Sequence, residues 1–296
     1  MYWVQHAGFL ALGLVLAAVL VFVGILFFQA QKKPDNNSRY VALGSSFAAG
    51  AGLGKRAPGS PVVCLRSSNG YPQQLARLLG ISFTDMSCSG STVKHVLHGG
   101  QFFLGSQIDA LGPKTELVTI TSGGNDISYV GDLVMLSHKN RGGIFGFYLD
   151  RLWKGAKPVA ERKITELKND FAATLHEIRV RAPNARIVVV TYPLILPATG
   201  TGPQIQLSET DAAMMRDVGK RLADVTREVA QVAGALLVDM DALSVGHDAC
   251  SAEPWMNGAK AEKGQGIPFH PNLAGAEATA KQVLLALQNS SGVHKP

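Results

Sequence analysis

Short apolar runs alternate along the chain with longer segments in which apolar residues recur every three or four positions. The runs 40–43, 82–85, 117–121, 187–191 and 236–239 predict strands, and the segments 72–79, 159–181, 209–233 and 273–288 predict helices. Within 159–181, Ile164, Leu167, Phe171, Leu175 and Ile178 form one apolar stripe. The run 187–190, Ile-Val-Val-Val, is apolar on both faces, as in a strand covered by helices on either side. This alternation predicts an α/β fold, a three-layer α/β/α sandwich with a central parallel sheet. In such sheets ligands bind beyond the carboxyl ends of the strands, so the residues just after each strand matter most.

The first thirty residues follow a different pattern. Residues 7–28 hold only Gly and apolar side chains, and at about 1.5 Å per residue they span the hydrocarbon core of a bilayer. A secretory signal core is shorter, about 7–15 residues. The exit, Phe27-Phe28-Gln29-Ala30, has no small residue three before a cut. Segment 1–30 is therefore expected to stay as a single-pass signal anchor. Residues 31–38, with Pro34, Asp35, Asn36 and Asn37, read as a polar linker, 39–290 as one folded domain and 291–296 as a flexible tail. Lys32 and Lys33 follow the span and by the positive-inside rule would leave the domain in the cytoplasm.

The composition, 46% hydrophobic and 17% charged, supports a sizeable core and argues against global disorder. The net charge of +6 comes from scattered residues, so no nucleic-acid partner is expected. Arg179, Arg181 and Arg186 read as a helix end and its turn. His95 and His98 stand three apart with no third ligand near them in sequence, and no metal is expected. The stretch 50–56 lacks the Gly spacing of a phosphate loop and has Arg56 where Ser or Thr would be needed.

The ends of the strands carry the chemistry. Gly44-Ser45-Ser46-Phe47 follows the first, Ser87-Cys88-Ser89-Gly90-Ser91 the second and Ser122-Gly123-Gly124-Asn125-Asp126 the third, while Phe269-His270-Pro271-Asn272 precedes the last helix. A serine hydroxyl becomes a competent nucleophile when an imidazole takes its proton. The tetrahedral oxyanion then needs preorganised donors. Ser46 is the candidate nucleophile and His270 its base. The Ser46 and Gly90 N–H groups and the Asn125 amide are the candidate oxyanion hole. Asp126 reads as a structural cap and His247 as structural.

In this order the blocks resemble the SGNH (GDSL-like) hydrolase superfamily, with Ser46, Gly90, Asn125 and His270 on its four block residues and the match running over about 39–290. The stretches Cys64-Leu65-Arg66-Ser67, Tyr71-Pro72 and Gly246-His247-Asp248-Ala249-Cys250 are similar to its secreted bacterial esterase/lipase branch. The resemblance implies a flavodoxin-like sheet, hydrolysis of carboxylic esters without a cofactor, and a Cys64–Cys88 disulfide. Such a bridge belongs in an oxidising compartment and outweighs Lys32 and Lys33, so the domain is expected on the extracytoplasmic side. Cys250 then remains as a free thiol or an interchain partner.

Two positions depart from the family pattern. Its block-one Asp is Ser45 here, and the Asp expected three residues before the histidine is Ile267. A backbone carbonyl, that of Ile267 or one nearby, is expected to hold the His270 tautomer instead. The expected activity is that of a membrane-anchored serine esterase or lipase acting on lipid esters or O-acyl glycans. The alternatives are an acyltransferase on envelope glycans or lipids, and a non-catalytic binding domain on the same fold. Residues 142–153 form an aromatic insertion, read either as an acyl-binding lid that could touch lipid or as an amphipathic helix packed on the core.

Overall fold

Strands β1 (Tyr40–Gly44), β2 (Phe83–Asp85), β3 (Leu117–Thr121), β4 (Arg186–Val190) and β5 (Leu236–Val238) form one parallel sheet in the computed structural model, which describes residues 2–291. The strand order is β2-β1-β3-β4-β5, with Tyr40 beside Phe83 on one side and Leu117 on the other. The helices are α1 (Tyr2–Ala30), α2 (Ser46–Ala49), α3 (Tyr71–Leu79), α4 (Val93–His98), α5 (Tyr129–Arg141), α6 (Gly143–Leu152), α7 (Ile164–Arg181), α8 (Glu209–Val232), α9 (Met240–Leu243) and α10 (Leu273–Ser291). The tail expected over 291–296 lies, beyond Ser291, outside the described residues.

Alternation along the strands divides the core in two. Val41, Leu43, Val118, Ile120, Ile187 and Val189 pack against α4, α5, α7 and α8. Tyr40, Ala42, Leu117, Val188, Val190 and Val238 pack against α3 and α10. The sheet is thus buried on both faces, the expected three-layer arrangement, and this explains the absence of polar alternation in β4. Truncating a fully buried Leu75 or Leu133 to Ala should cost about 2–5 kcal/mol.

The helix expected over 159–181 is interrupted. A 3₁₀ turn at Val159–Glu161 ends in extended backbone at Arg162, and α7 starts at Ile164. The break lets the Arg162 guanidinium turn inward, where it pairs with Asp132 at 2.8 Å and donates to the carbonyls of Ile127 and Lys157. A charge this buried requires such partners, and they override the helical periodicity of the segment. Among the residues expected to close β5, Asp239 instead caps α9 by accepting the Ala242 N–H.

Among the described residues α1 is the one helix long and apolar enough to cross a membrane by length and composition, with its apolar window at Gly13–Ala30. From Gly13 to Phe28 its side chains are exposed except for Leu26, which is buried. There Phe27 meets Phe103 edge-on at 6.1 Å, and the Gln29 Oε1 accepts the Val62 N–H at 3.0 Å. The helix end is therefore seated on the domain. The insertion at 142–153 forms α6 next to α5; Ile144, Phe147, Tyr148 and Leu152 are exposed, while Trp153 after the helix packs against the core.

Candidate active site

The site begins at a glycine. Gly44 closes β1 with φ +129°, and a Cβ there would lie 2.2 Å from the Thr121 carbonyl oxygen of the neighbouring strand. Only glycine lets β1 run this close to β3 and still turn out of the sheet plane. The turn places Ser45 beneath the surface and Ser46 at the first position of α2. As the first helical residue, Ser46 has a backbone N–H without an intrahelical acceptor.

His270 stands in the loop that leads into α10. Phe269 before it is fully buried with φ +56°, a left-handed conformation that a bulky side chain adopts only when packing enforces it. This twist brings His270 Nε2 to 2.7 Å from Ser46 Oγ. The other ring nitrogen, Nδ1, lies 2.8 Å from the Pro268 carbonyl oxygen. A carbonyl only accepts, so Nδ1 carries the proton and Nε2 is left to accept the Ser46 O–H. The ring partner is thus the nearby carbonyl of Pro268 and not that of Ile267. The Ile267 oxygen accepts the backbone N–H of His270 at 3.2 Å and the Asn257 amide at 3.4 Å.

Ser46 is 8% exposed and His270 7%, so water has little access to the pair. Phe47 stacks obliquely on both His270 and Tyr192, with ring centroids 4.9 and 4.0 Å apart. Burial pulls the imidazole down to about 4, against a smaller upward pull from the Pro268 carbonyl. The ring is therefore neutral at pH 7, the state that accepts a proton.

Gly90 has φ +79°, is solvent-exposed, and its N–H makes no hydrogen bond among the described residues. Asn125 donates one Nδ2 hydrogen to the Ser91 carbonyl at 2.8 Å, which fixes the amide beside the Gly90 loop and leaves the second hydrogen for a ligand. Asp126 accepts the Val93 N–H at the start of α4, at 3.1 and 3.2 Å. Burial pushes its carboxyl up to about 7 despite that bond. It serves as a cap, as expected.

Several neighbours carry no signal in the sequence blocks. Gln107 clamps the site: its Oε1 accepts the Gly44 N–H at 2.8 Å, and its Nε2 donates to the Gly44 carbonyl and Ser91 Oγ, both at 3.0 Å. Gln101 donates to the Ser89 carbonyl at 2.8 Å. Ser45, in the place of the family Asp, bonds the Tyr192 hydroxyl at 2.6 Å. Tyr192 in turn fills the space over Gly124, where a Cβ would approach its ring to 2.8 Å.

The remaining candidates have structural partners. Cys64 and Cys88 form a disulfide. Cys250 is free and half-buried, with its thiol pushed up by burial. His247 stacks on Trp255 at 4.0 Å, and the His95 ring lies 3.1 Å from the Thr92 N–H in a capping box. Among the described residues no group of three or more His, Cys, Asp or Glu side chains is arranged to hold a metal.

A family model described as GDSL-like lipase/acylhydrolase matches residues 42–278. Lipase 2 of Streptomyces coelicolor is 32% identical over 83% of this chain and 84% of its own. A lipase of Streptomyces rimosus is 29% identical over 74% and 75%. The crystal structure of extracellular lipase from Streptomyces rimosus superposes with a TM-score of 0.65 and 28% identity, over 84% of this chain and 98% of that one. That of phospholipase A1 from Streptomyces albidoflavus gives 0.64 and 25% over the same shares.

Proposed function

Because the chain belongs to the GDSL-like lipase/acylhydrolase family and is a carboxylic ester hydrolase, we propose that Ser46 is its nucleophile and His270 its general base. The observation that carries this reading is the 2.7 Å contact between a serine hydroxyl and a neutral, tautomer-fixed imidazole. His270 takes the Ser46 proton as Oγ attacks the ester carbonyl. The Ser46 and Gly90 N–H groups and the Asn125 amide hold the developing oxyanion. The C–O bond breaks as His270 returns the proton to the leaving alkoxide, giving the alcohol and an acyl-Ser46 ester. Water, deprotonated by the same imidazole, then attacks this ester and releases the acid.

Three features support a lipid ester as substrate and a membrane-tethered enzyme. Segment 1–30 is long and apolar enough to act as an anchor. Its last turn is seated on the domain through Phe27 and Gln29. The names of the relatives, lipase and phospholipase A1, point to lipid esters. The disulfide favours an extracytoplasmic domain.

The test is hydrolysis of a short-chain p-nitrophenyl ester and labelling by a fluorophosphonate, in the wild type and in Ser46→Ala. The variant should lose the label and at least about 10⁴-fold in turnover. A wild type that neither hydrolyses nor labels would leave a binding domain on the same fold.

A further inference from the structure

The end of α1 and the domain enclose a cavity of about 600 Å³ that contains none of Ser46, Gly90, Asn125 and His270, although Gln101 and Gln107 reach it from the active-site side. Residues 29–34 form one wall, and Cys88 of the disulfide, Met86 and Leu104 contribute to the others. We propose that this cavity is a headgroup site for an anionic phospholipid, its phosphate held by Lys32, Lys33, Arg56 and Arg66.

The argument starts from position. The apolar window of α1 ends at Ala30, so the cavity begins where the helix would leave hydrocarbon, at the depth of lipid headgroups. Its volume lies within the range of small-ligand sites, roughly 300–1,000 Å³.

The charges point the same way. Lys32, Lys33 and Arg56 are exposed, and their side chains make no ion pair or hydrogen bond among the described residues. Arg66 is half-buried. Its Nε donates to the Ser87 carbonyl at 2.5 Å, while its terminal nitrogens make no hydrogen bond among the described residues. A guanidinium held by Nε alone presents the rest of its donor fork, which suits phosphate oxygens.

Two carboxylates also line the cavity, and neither faces Lys32, Lys33 or Arg56 as an ion pair. Asp109 is paired with Arg181 at 2.9 Å. Asp85 accepts the Ser87 N–H at 3.0 Å and the Ser87 hydroxyl at 2.5 Å, and its charge is offset in part by the nearby Arg66. With Asp109 paired to Arg181 and Asp85 offset by Arg66, the cavity keeps Lys32, Lys33 and Arg56 as a surplus of cations beside an apolar helix. A free phosphate would match the cations alone, whereas a phospholipid would match the cations and the adjoining apolar wall. This site also accounts for two lysines directly after the span in a protein whose disulfide argues for the extracytoplasmic side.

The inference rests on α1 being retained as a membrane anchor, and the experiment separates the two readings. The full chain, expressed in membranes and purified in mild detergent, is equilibrated with equimolar phosphatidylglycerol and phosphatidylcholine and measured by native mass spectrometry. The intact mass reports α1 first: a chain cut near residue 30 overturns the anchor and the site together. In the uncut chain, one phosphatidylglycerol should be retained at least about tenfold over phosphatidylcholine. This preference should vanish in the triple variant Lys32→Gln, Lys33→Gln, Arg56→Gln, whose exposed positions should leave the melting temperature unchanged. Equal retention of both lipids, or an unaltered preference in the variant, overturns the site and leaves the anchor standing. Millimolar inorganic phosphate should not displace the lipid. Stoichiometric displacement would assign the cavity to free phosphate and overturn the lipid reading.

Discussion

The carbonyl oxygen of Pro268 lies 2.8 Å from Nδ1 of His270, so the imidazole of this site is oriented by its own loop and without a carboxylate. The arrangement fixes the tautomer but supplies no negative charge to stabilise an imidazolium. With burial added, the ring titrates low, at about 4. The base works only when unprotonated, so activity should be full above this value and fall as pH drops through it. The acid limb of kcat/KM should lie near pH 4, well below the ordinary histidine value of about 6.5. A profile of p-nitrophenyl ester hydrolysis in inert buffers checks this; a limb at pH 6 to 7 would contradict it.

The oxyanion donors should separate from the binding surface in kinetics. Asn125→Ala should lower kcat by roughly 10²–10³ with little change in KM, because the lost donor acts mainly in the transition state. Gly90→Ala should also lower kcat, since a Cβ would stand 3.2 Å from the Gln101 amide nitrogen at a φ of +79°. Steady-state kinetics with fluorophosphonate labelling as a control reads both effects. An increase confined to KM would remove these two residues from the oxyanion hole.

Asp126 offers a prediction about stability with a defined sign. Its folded-state value, about 7, lies above the unfolded value of 3.8. The folded state therefore holds the proton more tightly, and the stability linked to this group is present below 3.8 and lost as pH rises through 7. Asp126→Asn keeps an acceptor for the Val93 N–H and removes the desolvated charge. It should stabilise the protein at pH 8 by about 2 kcal/mol and do little at pH 4, as measured by chemical denaturation. An equal gain at both pH values would mean that the carboxyl is not the titrating group.

The Cys64–Cys88 bridge closes a loop with a sequence separation of 24 and links the segment after α2 to the Gly90 loop. Reduction should cost about 3 kcal/mol of stability. Because Ser89 N–H also bonds the Cys64 carbonyl at 3.1 Å, turnover should fall before the sheet unfolds. Parallel denaturation and activity curves, with and without a reductant, check both.

The sequence displayed most of the scaffold. Apolar periodicity located β1, β3 and β4, because strands covered on both faces leave uninterrupted runs, and it located α8 and α10 nearly to the residue. It failed at Arg162, where one buried ion pair with Asp132 outweighs the helical pattern of its neighbours. Ser46 and His270, marked by their blocks, come together in space, and Gly90 and Asn125 lie beside the same Ser91 loop. The partner of His270 was hidden for a physical reason: a main-chain carbonyl occurs in every residue, so Pro268 bears no distinguishing letter. Gln107 was hidden because its role depends on a contact 63 residues away.

That same Gln107 amide grips both the end of β1 and the Ser91 hydroxyl, so a part of the chain remote from the catalytic blocks holds the nucleophile strand and the oxyanion loop in register. The segment carrying it, Gln107–Ala110, is a single 3₁₀ turn between loops, a less cooperative element than the sheet it steadies. On heating, the fastener should loosen before the framework does. The temperature at which the enzyme falls silent and the temperature at which it melts are then separate properties, open to separate adjustment.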